Sequence, residues 1–334
     1  MSRRSILFLV ILMMVAGIFI GCQPKEETPY EEIPASNEAE EPGYRRTVLY
    51  FEDDNGYVVP VMKKIKMEEG IGKAALQELK QSAAESLKVS GLYAILPDNA
   101  KIELDINKKL ATLKLNKDAL NANNAFEETN KVIAIVNTLT EFSTVEKVQF
   151  LLDGKKVSKL KFGTDVSKPI GRFVLNPESA DADTDIKSAV KLTLYFADKE
   201  NTHIVPVTRY VQGAAGVEEA VKGLIDGPRD AAFLQNSFPE DTKLLEAKLD
   251  DKNAINLNFS KELNKLMENP QMEKDAIKTI YLTCFEFENI ADVNILVEGN
   301  PYEGSAPTMT INQYPNTVPA MNANTNINEE ELQQ

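Results

Sequence analysis

The chain is poor in the residues that most enzyme chemistry and most covalent bracing require. Its 334 residues include two cysteines, Cys22 and Cys284, and a single histidine, His203. Two thiols cannot build the multi-bridge framework that staples small secreted folds. Cys284, set among Ile280, Tyr281 and Phe285, reads instead as a small buried hydrophobe. One histidine excludes a histidine cluster, an HExxH zinc helix and a Ser-His-Asp relay. His203 falls at the turn end of a strand, where the expectation is a plain exposed residue. No GxxxxGKS loop and no GxGxxG helix start occur, so no nucleotide cofactor is expected. Positive charge is also scarce: 37 Lys and Arg face 51 Asp and Glu, for a net charge of −14. No basic patch with interleaved aromatics offsets that balance, which excludes nucleic acid as a partner.

Carboxylates are what the chain has in plenty, and a paired acid and base is the one enzyme chemistry left open. Glu218-Glu219 is the obvious pair, yet acidic residues in the first turn of a helix simply complement its dipole. Asp181, Asp183 and Asp185 alternate like calcium ligands but lack the central glycine and terminal glutamate of that loop, so they read as a solvated linker. Asn121, Asn123 and Asn124 fit turn and loop chemistry. The expectation is a protein that is not an enzyme and holds neither metal nor cofactor.

Long apolar runs are missing but for one. Arg3 and Arg4 precede an almost continuous apolar stretch from Ile6 to Ile20, followed by Gly21-Cys22. The run is shorter than the ~18 residues that span a bilayer, so it reads as a signal peptide over 1–21. Gly21-Cys22 resembles the lipobox of bacterial lipoproteins. That resemblance implies acylation of Cys22 and attachment to the extracytoplasmic face of the cell membrane through a lipid anchor. Residues 22–44, rich in Glu and Pro, read as a flexible acidic tether.

The strongest signal is an internal repeat. LYFEDDNGYVVPV at 49–61 returns as LYFADKENTHIVPV at 194–207, ILPDNAKI at 95–102 as SFPEDTKL at 237–244, LKLN at 113–116 as INLN at 255–258, and VQFLLDG at 148–154 as VNILVEG at 293–299. The order is kept and only loop lengths differ. Two domains are therefore expected, at 45–165 and 189–303, with a polar, acidic linker at 166–188 and a disordered tail at 304–334.

Each copy predicts the order β-β-α-β-β-α-β. In the first, β-rich runs at 47–51 and 58–65 flank an Asp-Asp-Asn-Gly turn. A helix follows near 72–83, strands near 101–106 and 111–115, a helix near 125–141 and a strand at 147–152. In the second, Val217, Ala220, Val221, Leu224 and Ile225 form one helical stripe that Gly227-Pro228 ends. Single-faced helices on one side of a mostly antiparallel sheet make an α+β fold whose other sheet face stays open.

The IVPV strand end at 204–207, the helix GVEEAVKGLIDGP at 216–228, and the INLN and VNILVEG segments together resemble a GerMN domain. Two such domains behind a lipobox are similar to the GerMN-type sporulation and germination lipoproteins of endospore-forming bacteria. That resemblance implies a ring-building-motif-like fold and a scaffold or assembly role in a complex of the mother cell–forespore envelope. It also implies protein partners in the sporulation channel, and peptidoglycan binding is the alternative. The helix segment, with Glu218, Glu219, Lys222, Gly227 and Pro228, is the candidate interaction surface. Where the first copy has Gln81-Ser82 the second has Gly-Pro, so a function tied to that helix end belongs to the second copy. Exposed strand edges are the other natural docking sites.

Overall fold

Residues 43–67, 70–182, 184–213 and 215–305 are described by a computed structural model. The signal segment, Cys22, the tether up to Pro42, Asp183 and the tail from 306 onward lie outside the described residues; Tyr44, expected in the tether, already belongs to the first strand, and Ser305, expected in the tail, is bonded to Glu273.

The first repeat opens with a hairpin, β1 (Tyr44–Asp53) against β2 (Val58–Lys66). Its turn is closed by Asp53, whose Oδ1 accepts the amides of Asn55 at 2.9 Å and Tyr57 at 2.7 Å. Pro60 stands within β2 opposite Tyr50. A proline cannot donate to a ladder, which fits β2 lying at the edge of its sheet. Helix α1 (Ile71–Gln77) follows, then a 3₁₀ turn at Glu85–Ser90 and the short β3 (Leu92–Tyr93), which adds to β1.

The remainder forms a second sheet. β4 (Ile102–Asn107) pairs antiparallel with β5 (Leu110–Leu115), α2 (Ala125–Thr140) crosses over, and β6 (Lys147–Leu152) returns parallel to β5. Two short strands, β7 (Lys155–Lys156) and β8 (Ile170–Gly171), then pair with β6.

The second repeat copies this plan. β9 (Val190–Asp198), β10 (Ile204–Val211) and β11 (Leu234–Gln235) form the hairpin sheet, with α3 (Val217–Asp226) between β10 and β11. β12 (Leu244–Leu249), β13 (Ala254–Phe259), β14 (Asp292–Val297) and β15 (Asn300–Pro301) form the other sheet. Helix α4 (Pro270–Cys284) makes the crossover to β14, which again lies parallel to its neighbour. Pro206 repeats the edge position of Pro60.

The architecture is α+β in two tandem copies, with two departures from the expected layout. Each repeat holds two sheets rather than one, and the strand after its long helix, β6 or β14, is parallel to its neighbour. The second follows from the first long helix connection available: a helical crossover returns the chain in the same direction, which a hairpin cannot do. The long helix of each repeat lies between hairpin and second sheet and is therefore buried on nearly every side, as α4 is from Asp275 to Cys284. Cys284 is fully buried there and free, and burial pushes its thiol upward.

The first helix is also shorter than its apolar spacing predicts. The Leu79 carbonyl accepts the amides of Ile95 and Leu96, both at 3.0 Å, and Gln81 donates to Leu96 at 3.1 Å. Backbone groups that the helix would have used are taken by the segment that follows β3.

Local chemistry is duplicated with the fold. Asn124 and Asn269 cap α2 and α4, accepting from Glu127 at 2.9 Å and Met272 at 3.2 Å. Thr138 and Thr283 accept the Tyr50 and Tyr195 amides at 3.2 and 3.3 Å, and the two tyrosine hydroxyls donate to Glu141 and Glu286.

Candidate functional site

Two regions merit attention: the junction where the hairpins of the two repeats meet, and the outer strand edges. At the junction, Asn176 works as a clasp. Its side-chain oxygen accepts the Val58 amide at 2.9 Å, and its side-chain nitrogen donates to Val58 at 2.9 Å and Pro206 at 2.7 Å. Its own carbonyl accepts the Thr208 amide at 3.2 Å, and Pro177 bridges to Thr208. One residue thus closes β2 of the first repeat and β10 of the second. The left-handed backbone at Asn176, with φ 44°, is tolerated by asparagine and turns its amide toward both edges.

His203 corrects the expectation of exposure, being only 4% accessible. Its Nε2 lies 3.1 Å from Oδ2 of Asp53 in the other repeat, and its Nδ1 lies 2.8 Å from Thr202 Oγ1. Asp198 holds the turn that presents it, accepting the amides of Thr202 and His203 at 2.8 Å each. The ring belongs to the junction because the hairpin tip carrying it is covered by the first repeat. Beside it, the Tyr57 hydroxyl donates to Asp230 at 2.8 Å, again across the repeats. Burial and that carboxylate raise the Tyr57 hydroxyl well above its ordinary value.

The candidate helix segment divides in two. Glu218, Glu219 and Lys222 face solvent. Lys222 Nζ meets Glu218 at 2.6 Å, and Glu219 caps the helix start by accepting the Gly216 amide at 2.9 Å. Gly227 and Pro228 turn inward and serve structure. Gly227 has φ 85°, a conformation that favours glycine, and its carbonyl accepts Arg209 Nη2 at 2.8 Å. Arg209, 7% exposed in β10, also donates to the Gly223 carbonyl at 3.0 Å and forms a two-point pair with Glu178 at 2.5 and 3.0 Å. A buried arginine therefore ties the end of α3 to residues expected to be linker.

Asp181, expected to be solvated, is paired with Arg229 at 2.6 Å, while Asp185 caps its own turn by accepting from Lys187 at 3.1 Å. Among the described residues no group of three His, Cys, Asp or Glu is placed to hold a metal ion, and no helix is long and apolar enough to cross a membrane.

A further polar cluster adjoins the junction. Glu141 pairs with Arg172, which also donates to the Tyr50 hydroxyl. Glu286 accepts from Tyr195 at 2.5 Å, and desolvation pushes its carboxyl up to about 7. On α4, burial pulls Lys278 down to about 7 against the favourable field of Asp275.

The outer edges differ from the closed junction. Among the described residues β4 pairs only with β5, and β12 only with β13. β12 carries a bulge between Leu244 and Glu246, which leaves Leu245 50% exposed, and Leu249 is 38% exposed. Ile106 at the end of β4 is 40% exposed. Each edge thus mixes charge with isolated apolar side chains.

Sequence reasoning pointed to the helix segment and to open edges, but it missed Asn176, Arg209 and the His203–Asp53 contact. The only signal for these was an arginine inside an otherwise apolar strand and an asparagine opening the boundary segment.

Comparisons with known proteins bear on this arrangement. The Germane family model, described as sporulation and spore germination, matches residues 48–158 and 193–303. Over 260 residues the chain is 26% identical to the spore germination protein GerM of Bacillus subtilis (strain 168), covering 75% of this chain and 71% of that one. Among solved structures, the tandem GerMN domains of the sporulation protein GerM from Bacillus subtilis superpose with a TM-score of 0.62 at 26% identity, covering 80% of this chain and 98% of that chain. The first GerMN domain of the same protein, 29% identical, gives a TM-score of 0.36 and covers 38% of this chain and 98% of its own.

Proposed function

The chain belongs to the Germane family of sporulation and spore germination, and from that we propose a non-enzymatic assembly scaffold, held on the outer face of the cell membrane within the mother cell–forespore envelope. The observation that carries this reading is the contrast between a locked junction and open edges. The Asn176 clasp, the His203–Asp53 contact and the Arg209–Glu178 pair consume the inner edges and side chains in joining the repeats. Among the described residues β4 and β12 have a partner on one side only, with Ile106, Leu245 and Leu249 beside them. A rigid body with fixed spacing between two strand edges suits a component that sets the geometry of larger assemblies, because unpaired edges accept a strand from a partner. Acylation of Cys22 and the acidic tether would hold that body at the membrane surface.

The test is affinity purification of the intact chain from sporulating cells after membrane solubilisation, alongside a Leu245→Lys/Leu249→Lys variant. Co-purification of envelope channel proteins with the parent and their loss from the variant is the expected result. Recovery of peptidoglycan fragments alone would overturn the scaffold reading in favour of wall binding. A Cys22→Ser change should move the chain out of the membrane fraction.

A further inference from the structure

Positive charge is scarce over the chain as a whole, yet one stretch of the first repeat collects it. From β7 onward, Lys155, Lys156, Lys159, Lys161, Lys168 and Arg172 stand against the single acid Asp165, in a chain whose net charge is −14. All five lysines are exposed. Lys131 and Arg172 are paired with Glu127 and Glu141, but none of these five makes an ion pair among the described residues. The Asp165 carboxylate is turned to the Ser167 amide at 2.9 Å.

The stretch has a defined shape. The Val166 amide donates to the Ser158 carbonyl at 3.0 Å, Leu160 to Thr164 at 2.9 Å and Gly163 back to Leu160 at 3.1 Å, which closes a small hairpin with Lys161 and Phe162 at its tip. Glu128, buried on α2, grips that tip by accepting the amides of Phe162 at 2.7 Å and Thr164 at 3.0 Å. Leu160 and Val166 are buried beneath it, and Ile170–Gly171 then pairs with β6. What stays outside is the set of lysines and Phe162, which is 39% exposed with the Lys161 ammonium 4.8 Å from its ring centre.

The fold does not need these cations. In the second repeat Glu273 holds the position of Glu128 and is satisfied by the Ser305 amide at 2.7 Å and the Tyr302 hydroxyl at 3.1 Å. The described residues after β15, 302–305, contain no lysine or arginine.

We infer that this face of the first repeat docks on an anionic phospholipid surface, its lysines meeting headgroup phosphates and Phe162 entering the interfacial zone. Ammonium groups on long apolar stems beside an aromatic ring suit a boundary that is charged outside and apolar beneath. A soluble polyphosphate would use the lysines but give Phe162 no apolar medium to enter. The rest of the chain is strongly acidic, so an anionic surface is repelled elsewhere and attracted here, which fixes the orientation of the body. β7 lies at the opposite end of its sheet from β4, so docking leaves the β4 edge available. The inference goes beyond the scaffold reading and does not require acylation of Cys22.

The test uses the full chain with Cys22→Ser and two further versions of it, one with Lys155→Glu/Lys159→Glu/Lys161→Glu and one with Phe162→Ala. Each is co-sedimented with vesicles of phosphatidylcholine alone and of phosphatidylcholine and phosphatidylglycerol in equal parts, and the ratio of the two partition coefficients is read. The apolar run at 6–20 is common to all three and cancels in the comparison. The first chain should prefer the anionic vesicles by roughly tenfold or more at low salt, and the preference should fade as salt is raised. The charge-reversed chain should lose the preference. Phe162→Ala should weaken binding to anionic vesicles several-fold yet leave binding to soluble polyphosphate unchanged. Thermal melts should coincide, because every altered lysine is exposed and unpaired. Equal partition of the first chain between the two vesicle types would overturn the inference, as would a preference that survives charge reversal. Vesicle binding by Phe162→Ala as tight as that of the first chain would also overturn it, since the face would then be a general polyanion site.

Discussion

At the scale of single residues, the junction concentrates groups whose loss cannot be made good by water. His203 and Asp53 are 4% exposed each and face one another across the repeats. His203→Ala should cost about 1–3 kcal/mol in denaturant unfolding, because it leaves a buried carboxylate short of a partner. A double-mutant cycle with Asp53→Ala should return a coupling well above zero. Glu286 and Lys278 make stability depend on pH in opposite senses. Glu286 is raised from 4.5 to about 7, so the folded state holds the extra proton and stability falls as pH rises through that window. Lys278 is lowered from 10.5 to about 7, so the unfolded state binds the extra proton and stability climbs from about pH 7 towards 10.5. Melting temperature against pH should therefore dip near neutrality. Glu286→Gln should flatten the acidic side and Lys278→Met the basic side.

At the scale of elements, α3 and its neighbours show what the Gly227-Pro228 ending is for. The end of the helix is held by Arg209 in β10, itself fixed by Glu178. Arg209→Ala takes both forked contacts from the buried Glu178 carboxylate, leaving it the Arg229 amide at 2.9 Å and the Arg229 guanidinium at 3.9 Å, and should destabilise the chain by about 3 kcal/mol. Arg209→Lys should recover only part of that, because an ammonium cannot reproduce the forked contacts to Glu178 and to two carbonyls. Lys222→Ala and Glu218→Ala, on the exposed face of the same helix, should leave stability nearly unchanged, because water screens that pair. Thermal melts of the four variants would check this ordering. Much of the element level was legible in the sequence: the duplicated strand and helix order and the Gly227-Pro228 end of α3 follow from local chemistry, whereas the Asn124 and Asn269 caps were not read from it. The early end of α1 was not, since it depends on Leu79 meeting Leu96 across a turn.

For the whole molecule, the clasp predicts that two domains joined by a polar stretch unfold as one. Calorimetry should show a single cooperative transition, and Asn176→Ala should split or broaden it, since Asn176 bonds to both hairpins at once. The duplication, the α+β class, the family resemblance and the near absence of histidine and cysteine chemistry could all be read along the chain. All of these are properties of pattern and composition, carried within a few residues of one another. The division of each repeat into two sheets, the burial of His203 and the joining of the halves by a stretch resembling a spacer emerge from the folded arrangement. Those features rest on pairs such as Val58 with Asn176 and Asp53 with His203, separated by 118 and 150 positions. No local periodicity encodes such partners. They meet because two similar hairpins present complementary edges once each has folded.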